Sequence, residues 1–208
     1  MPESLIYLVR HGRPELPDRE VRFLGRTDIP LSAEGRAQAE GLRDHLEDIR
    51  LDLVVHSGMK RALETASIIA GNRGIPFREI PEFREIAFGE WEMKSMHDVS
   101  RSDPDAFRRR GEDFARFRPP GGENFLDVSR RAWPAFLSLA GEFRGNILIS
   151  AHAGVFRAIL FAILRIPWQR LFSVKQDYCG VHVLSFMDGY FTVERFNWLP
   201  CLGGRDAP

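Results

Sequence analysis

The sequence predicts an α/β fold, in which helices cover both faces of a mostly parallel sheet to give a three-layer α/β/α sandwich. Short, wholly apolar runs are typical of strands buried on both faces, and here they alternate with segments of helical periodicity. Near the end of the chain, Asp188-Gly189 separates two apolar runs, which indicates an antiparallel hairpin. Because 208 residues suit one domain, we predict a single domain over 1–208.

Strands and helices alternate through the first half of the chain. Three apolar runs predict strands, at 5–9, 51–55 and 77–80. One helix is predicted over 32–46, where Ser32 can cap the first turn, and another over 61–70, where apolar residues recur at helical spacing. Residues 82–92 have no clear period and predict a loop. This alternation is typical of a parallel sheet with crossover helices.

The second half contains an irregular stretch before the alternation resumes. Residues 94–118 are polar, and Pro104 divides them into two predicted short helices. The run Pro119-Pro120-Gly121-Gly122 ends the stretch, so we predict that 94–122 is a cap-like insertion over a site. The remaining predicted elements are a helix over 123–143 despite Pro134, a strand over 146–150, a helix over 155–164, and hairpin strands at 181–186 and 190–196.

The composition excludes several classes of protein. Lys and Arg total 29 and Asp and Glu total 29, so no overall charge attracts nucleic acid or an anionic membrane. No apolar run approaches the ~20 residues of a membrane span, and the N-terminus lacks the basic start of a signal peptide. Two cysteines do not make a disulfide framework. We therefore expect a cytoplasmic monomer or homodimer with no nucleic-acid or membrane partner.

Basic and imidazole side chains follow three of the predicted strands. Arg10 and His11 come after the first, Arg61 begins the helix after the second, and His152 follows the fourth. Ligands of open α/β sheets bind beyond the carboxyl ends of the strands, so we expect these side chains to meet. Two arginines and two histidines there form a cationic pocket suited to a phosphoryl group, to which the helix starts after Ser57 and Gly154 can add N–H donors.

A structural interpretation competes with this one at every position. A lone histidine at a strand end is more often structural than catalytic, and Arg61 alone would be an ordinary helix-surface charge. The neighbouring Gly12 and Gly154 favour a site, because glycine lets a ligand approach the backbone. The chain has no P-loop, no thiolate phosphatase loop and no convincing metal-ligand spacing. His11 therefore remains as the nucleophile, with no metal and no cofactor expected.

The segment Leu8-Val9-Arg10-His11-Gly12 resembles the signature of the histidine phosphatase superfamily, which includes the phosphoglycerate mutases. Four further blocks resemble the family's in the same order, at 25–39, 56–66, 83–92 and 150–157. The resemblance covers nearly the whole chain and implies a phosphoglycerate mutase-like fold. It also implies a metal-independent phosphomonoesterase that hydrolyses a small-molecule phosphate ester through a phosphohistidine intermediate.

The same resemblance implies a role for each site residue. His11 would carry the phosphoryl group as a neutral imidazole whose ring N–H is held by a backbone carbonyl. Glu85 would be the proton donor, with Glu82 as its nearest competitor. Four residues would bind the phosphoryl oxygens: Arg10, Arg61, a protonated His152 and Ala153.

Two departures from the family pattern concern the surroundings of the site. Residues 13–16 read Arg-Pro-Glu-Leu where the mutases have Glu followed by Ser or Thr, and Met93 follows Trp91-Glu92 where Gly is usual. The methionine form and the Pro-Gly-Gly-Glu run are most similar to the α-ribazole phosphatase branch, which acts in cobalamin nucleotide-loop assembly. A phosphoglycerate mutase is an alternative, against which the short insertion counts. A non-catalytic phospho-ligand binding module is another, against which the complete set of site residues counts.

The predicted cap has two interpretations. Its phenylalanines Phe107, Phe114 and Phe117 recur at spacings that give a helix an apolar stripe, so the cap can be a solvated basic helix packed on the core. Alternatively, one or two of its arginines contact the part of an anionic substrate that is not transferred. The segment contains Arg101, Arg108, Arg109, Arg110, Arg116 and Arg118. The candidates that we select for substrate contact are Arg26, Arg108, Arg109 and Arg116.

Overall fold

A computed structural model describes residues 4–18 and 20–200 of the chain. Its six strands form one sheet in the order β3-β2-β4-β1-β5-β6. The strands are β1 Ser4–Arg10, β2 Leu53–His56, β3 Phe77–Glu79, β4 Ile147–Ala151, β5 Val181–Met187 and β6 Tyr190–Trp198. The first four are parallel to one another, and β5 and β6 are antiparallel additions at one edge. The predicted mostly parallel sheet and hairpin are confirmed.

Six α-helices accompany the sheet in the described part of the chain: α1 Ala33–His45, α2 Lys60–Ala70, α3 Met96–Ser102, α4 Pro104–Glu112, α5 Phe125–Glu142 and α6 Ala153–Leu164. Ser32 caps α1 by accepting a hydrogen bond from Gly35 N. Asn124 forms a capping box with Asp127 at the start of α5, which continues through the exposed Pro134. None of these helices is long and apolar enough to cross a bilayer.

The two faces of the sheet carry separate hydrophobic cores. Along β1, Ile6 and Leu8 pack with α5 and α6, whereas Tyr7 and Val9 pack with α1 and α2. Alternate strand residues therefore point into opposite cores, as the period of two requires. This arrangement is the predicted three-layer sandwich.

The cap-like segment 94–122 contains α3 and α4, separated at Asp103 as the proline predicted. It has a small core of its own, in which Val99 and Ala106 pack with Phe23 and Trp91. Phe107 and Phe117 pack against this cluster, so the structural interpretation of the cap holds for these two rings. Phe114 packs against the main core instead, and it also lines a cavity described below.

Three 3₁₀ turns, Pro81–Phe83, Gly89–Trp91 and Trp168–Ser173, were not predicted. The first begins one residue before the predicted loop at 82–92, and the second lies inside it. Helix α6 begins at Ala153, two residues before the predicted start. The earlier start matters, because it places the N–H groups of Ala153 and Gly154 at the end of the sheet where the site forms.

Candidate active site

The sheet order explains how residues distant in sequence meet. Strands β1 and β4 are neighbours, and Arg10 pairs with Ala151 in their register. His11 and His152 therefore leave the sheet side by side, and their ring centroids lie 5.1 Å apart. Arg61 reaches the same place from the first turn of α2, with its Nε 3.3 Å from His11 Nε2. The structure thus brings together the predicted site residues.

His11 is held in one tautomer by its surroundings. Its Nδ1 lies 2.7 Å from the carbonyl oxygen of Gly12, which can only accept, so Nδ1 carries the hydrogen and Nε2 keeps its lone pair. The ring is buried, and burial together with the charges of Arg61 and Arg10 holds the pKa of His11 well below its ordinary value. A neutral imidazole with a basic Nε2 is the form that a nucleophile needs.

Arg61 is fully buried and braced by backbone carbonyls. It donates to Thr27 O at 2.9 Å and to Gly25 O at 2.7 Å. Burial lowers the pKa of Arg61, and the negative charge of Glu85 partly opposes that shift. Because two of its nitrogens are fixed to the 25–27 segment, the guanidinium can move little when a ligand binds.

Glu92 holds that segment in turn. Its two carboxylate oxygens accept hydrogen bonds from the backbone N–H groups of Gly25, Arg26, Thr27 and Phe88, and from the hydroxyl of Thr27. Sequence reasoning treated Glu92 only as part of a family block. Its place directly after Trp91 in that block was the one available signal.

Arg10 is oriented by a loop that sequence reasoning passed over. Its guanidinium lies 3.8 Å from the ring centroid of Tyr178 and donates to the carbonyl of Gln176. The Tyr178 ring is also 5.7 Å from the His11 ring. The 174–180 loop has no periodicity or motif, so nothing in its sequence pointed to the site.

His152 is fully buried, with Nε2 2.8 Å from the Ser57 hydroxyl. Its Nδ1 has no hydrogen-bond partner among the described residues. Burial, Arg61 and His11 hold the pKa of His152 well below its ordinary value in the protein without a ligand, and its protonation with a phosphoryl group bound stays a prediction. The positive charges of Arg61 and Arg10 act on this ring, and a bound phosphoryl dianion would offset them.

Glu85 lies across the site from the histidines and is buried. One carboxylate oxygen accepts from its neighbour's N–H, Ile86 N, at 2.9 Å, and the other accepts from Gly154 N at 3.1 Å. A Cβ built on Gly154 would overlap Glu85 Oε1, so glycine is required there. The competing carboxylate, Glu82, is exposed to solvent, and the geometry favours Glu85.

An ion pair supports the loop that carries Glu85. Arg131 of α5 donates to the carbonyls of Glu82, Arg84 and Glu85, and it pairs with Glu123 at 2.9 Å. Glu123 accepts from Ala87 N as well. The backbone around Glu85 is therefore fixed from behind by side chains of α5 and the turn before it.

A cavity of about 450 Å³ opens beside Glu85, Ala153 and Gly154. Most of its wall is apolar and aromatic, including Phe23, Phe88, Phe114, Phe125 and Phe172. The last ring comes from the unpredicted turn Trp168–Ser173. A cavity of this size and character suits an organic group attached to the phosphate.

The selected cap arginines do not line this cavity, which corrects that part of the prediction. Arg108 and Arg116 are exposed and form ion pairs with acidic residues of the cap, and Arg109 is exposed. Arg26 donates to Glu85 O at 2.6 Å and supports the loop. The cavity arginine of the cap is Arg110. Side chains one residue apart on a helix point in different directions, so the sequence could not choose among 108–110.

Comparisons with known proteins agree with this geometry. The model of the histidine phosphatase superfamily (branch 1) matches residues 6–199, and the chain belongs to that family. It is 30% identical to the adenosylcobalamin/alpha-ribazole phosphatase of Escherichia coli strain K12, over 83% of this chain and 85% of the relative. A putative alpha-ribazole-5'-P phosphatase structure from Escherichia coli superposes with a TM-score of 0.85 at 27% identity, covering 94% of this chain and 96% of that one.

The structure of Bacillus stearothermophilus YhfR also superposes with a TM-score of 0.85, at 33% identity over 92% of this chain and 95% of that chain. Membership of the family and these relatives support one class of activity. The chain is a phosphatase that acts on small-molecule phosphate esters.

Proposed function

We propose that the protein hydrolyses phosphomonoesters through a phosphohistidine at Nε2 of His11, without a metal ion or other cofactor. The observation that carries the proposal is the fixed tautomer of His11, with Nδ1–H held by Gly12 O and Nε2 facing Arg61. Phosphoryl transfer requires a positioned nucleophile and fixed positive charge, and both are available at this site.

In the first step, Nε2 of His11 attacks phosphorus and the bond from phosphorus to the ester oxygen breaks. Arg10, Arg61, His152 and the N–H group of Ala153 hold the non-bridging oxygens, since all of them converge at the ends of β1 and β4. Glu85, protonated, gives its proton to the departing alkoxide and becomes a carboxylate.

In the second step, a water molecule replaces the alcohol beside Glu85. The carboxylate takes a proton from this water, whose oxygen attacks phosphorus while the P–N bond breaks. Orthophosphate is released, His11 returns to a neutral imidazole, and Glu85 is protonated again. The hydrogen bonds from Ile86 N and Gly154 N hold the same carboxylate in place for both steps.

The nucleophile is tested by trapping and by substitution. Quenching turnover at alkaline pH should leave base-stable, acid-labile phosphate on the wild-type protein, and EDTA should not reduce the rate. His11→Ala should lower kcat by at least about 10⁴-fold and abolish the trapped phosphate. His97→Ala, at an exposed histidine of α3, is the matched control. A His11→Ala protein with near-normal turnover would falsify the assignment.

For the substrate, we propose α-ribazole phosphate as the first ester to test, with cobalamin nucleotide-loop assembly as the context. The support is the name carried by the relatives described above and the Trp91-Glu92-Met93 form of the chain. A panel of phosphomonoesters in EDTA, including α-ribazole phosphate and 3-phosphoglycerate, tests this choice. Interconversion of phosphoglycerates without phosphate release would instead identify a mutase.

A further inference from the structure

Two arginines in the cavity beside Glu85 form no ion pair with another of the described residues, although the charge of Glu85 acts on Arg157 from a distance. Arg110 comes from α4 of the cap and Arg157 from α6. Neither guanidinium makes a hydrogen bond or ion pair with another residue of 4–18 or 20–200, and Arg157 Nε is buried without a partner. The third cavity arginine, Arg22, differs because it is paired with Asp18.

Both side chains remain charged in spite of their burial. Burial lowers the pKa of Arg110 and that of Arg157 to about 10, which leaves each guanidinium protonated near neutral pH. Both residues are half-buried. A charge withdrawn from water without a partner is costly, and a ligand or partner that supplies the opposite charge offsets that cost. Glu85 does not fill that role by direct contact, because its oxygens accept from backbone N–H groups.

The aromatic wall fixes how the two guanidinium groups are presented. Arg110 lies 5.1 Å from the ring centroid of Phe23 and 4.8 Å from that of Phe114, and Arg157 lies 5.1 Å from that of Phe172. Phe114 and Phe172 are themselves in edge-on contact, with centroids 4.7 Å apart. One continuous aromatic surface therefore carries both cations. Ring contacts occupy the faces of a guanidinium and leave its N–H groups free to donate in the plane.

From this arrangement we infer that the cavity binds a leaving group with an apolar body and an anionic oxygen group of its own, a carboxylate in the simplest case. The apolar body lies against the phenylalanines, and the carboxylate accepts hydrogen bonds from Arg110 and Arg157. The inference rests on the proposed phosphatase reaction, since it concerns the part of the ester that is not transferred. It assigns substrate selection to Arg110 and Arg157 and makes the second negative charge the selected feature. The alcohol of α-ribazole phosphate has no anionic group, so the inference ranks that ester below one with a carboxylate in the panel described above.

A matched set of three esters tests the inference. Benzyl phosphate, 4-(phosphonooxymethyl)benzoate and the methyl ester of the latter have similar shapes, and a methylene group insulates the reacting oxygen from the substituent. Charge-assisted hydrogen bonds contribute about 1.5–3 kcal/mol. The free carboxylate should therefore have a kcat/KM at least about tenfold above that of its methyl ester, chiefly through KM.

Substitutions on α4 and α6 test which arginines recognise the carboxylate. Arg110→Gln and Arg157→Gln should each lower kcat/KM for the carboxylate by about 10–100-fold, and that for benzyl phosphate by less than about threefold. Benzyl phosphate turnover reports that each variant is folded. Arg108→Gln and Arg109→Gln, on the exposed side of the same helix, should leave all three values unchanged.

Equal kcat/KM for the carboxylate and its methyl ester in the wild-type protein would overturn the inference, as would variants that affect all three esters alike. Absence of turnover with every ester, p-nitrophenyl phosphate included, would instead count against the proposed phosphatase reaction. The two failures are thus distinguishable.

Discussion

The two sides of the active site are built differently. On the phosphoryl side, His11, Arg61 and Glu85 are tied to backbone carbonyls or N–H groups. On the leaving-group side, five phenylalanines line the cavity, and Arg110 and Arg157 lie against aromatic rings without an ion pair to another described residue. A single substitution leaves the main-chain groups that make these contacts in place, whereas it can replace a phenylalanine or an arginine outright. The comparison teaches that the residues proposed for the chemistry depend on backbone contacts, whereas those proposed for substrate selection are exchangeable side chains.

The largest effect is expected at Glu85, the proposed general acid on the phosphoryl side of the site. Glu85→Gln keeps the size of the side chain and removes the transferable proton. Alkyl phosphates should react about 10²–10⁴ times more slowly, because their alkoxides require protonation as they leave. Aryl phosphates with good leaving groups should lose much less in the phosphorylation step. The measurement is the phosphorylation rate as a function of the leaving group's pKa, and an equal, small loss for both kinds of ester would remove Glu85 from the role.

A single added methyl group should produce a similar signature. In Gly154→Ala, the new Cβ overlaps Glu85 Oε1 and displaces the carboxylate. We expect kcat for alkyl phosphates to fall by about 10–100-fold, since small misplacements of catalytic groups have effects of this order. Gly141→Ala is the control, because a Cβ there meets nothing within 4 Å. If both variants keep full activity, the backbone contacts on this side are less rigid than the comparison requires.

A buried histidine makes the stability of the fold depend on pH. Burial lowers the pKa of His182 from 6.5 to about 4, and His182 Nε2 has no partner among the described residues. The unfolded chain therefore binds a proton that the folded chain refuses, so stability falls as pH falls from 6.5 toward 4. For this residue the total loss is about 3 kcal/mol.

His182→Asn, which keeps an acceptor for Asn197 N, should make urea-unfolding free energies depend less steeply on pH in that window. The slope should decrease by up to about 1.4 kcal/mol per pH unit. His97→Asn at the exposed histidine should not change it. An unchanged slope in His182→Asn would show that His182 is not the group that refuses the proton.

The smallest expected effect is a change in thermal stability at Met93. Met93 has a φ of 63°, in the left-handed region, and its carbonyl accepts from Arg22 of the cavity wall. Met93→Gly should relieve about 1 kcal/mol of backbone strain and raise the Tm, although the added freedom of the unfolded chain offsets part of the gain. Calorimetry checks this, and a lower Tm would show that the methionine side chain contributes packing that outweighs the strain.

The site residues predicted from the sequence lie at strand and helix ends, whereas those missed lie in irregular segments or on the short cap helix. His11 and His152 could be placed because the ends of buried parallel strands share an edge, and Arg61 because it starts a crossover helix. Tyr178 and Phe172 belong to loops without periodicity, and their position depends on tertiary packing alone. Arg110 could not be distinguished from Arg108 and Arg109, since the orientation of a short cap helix is set by the cluster around Phe23 and Trp91.

Glu85 lines the aromatic cavity, so the proposed leaving group and the proposed attacking water approach it from the same space. The departing alcohol and the incoming water both need the place beside its carboxylate, so they cannot occupy it together. In the proposed mechanism, the alcohol must therefore leave before the phosphohistidine can be hydrolysed. An alcohol that fits the aromatic cavity well will therefore remain longer, delay the water and return to its phosphate more often. For such an enzyme, tight recognition of the leaving group slows net hydrolysis, and the best-bound ester need not be the one turned over fastest.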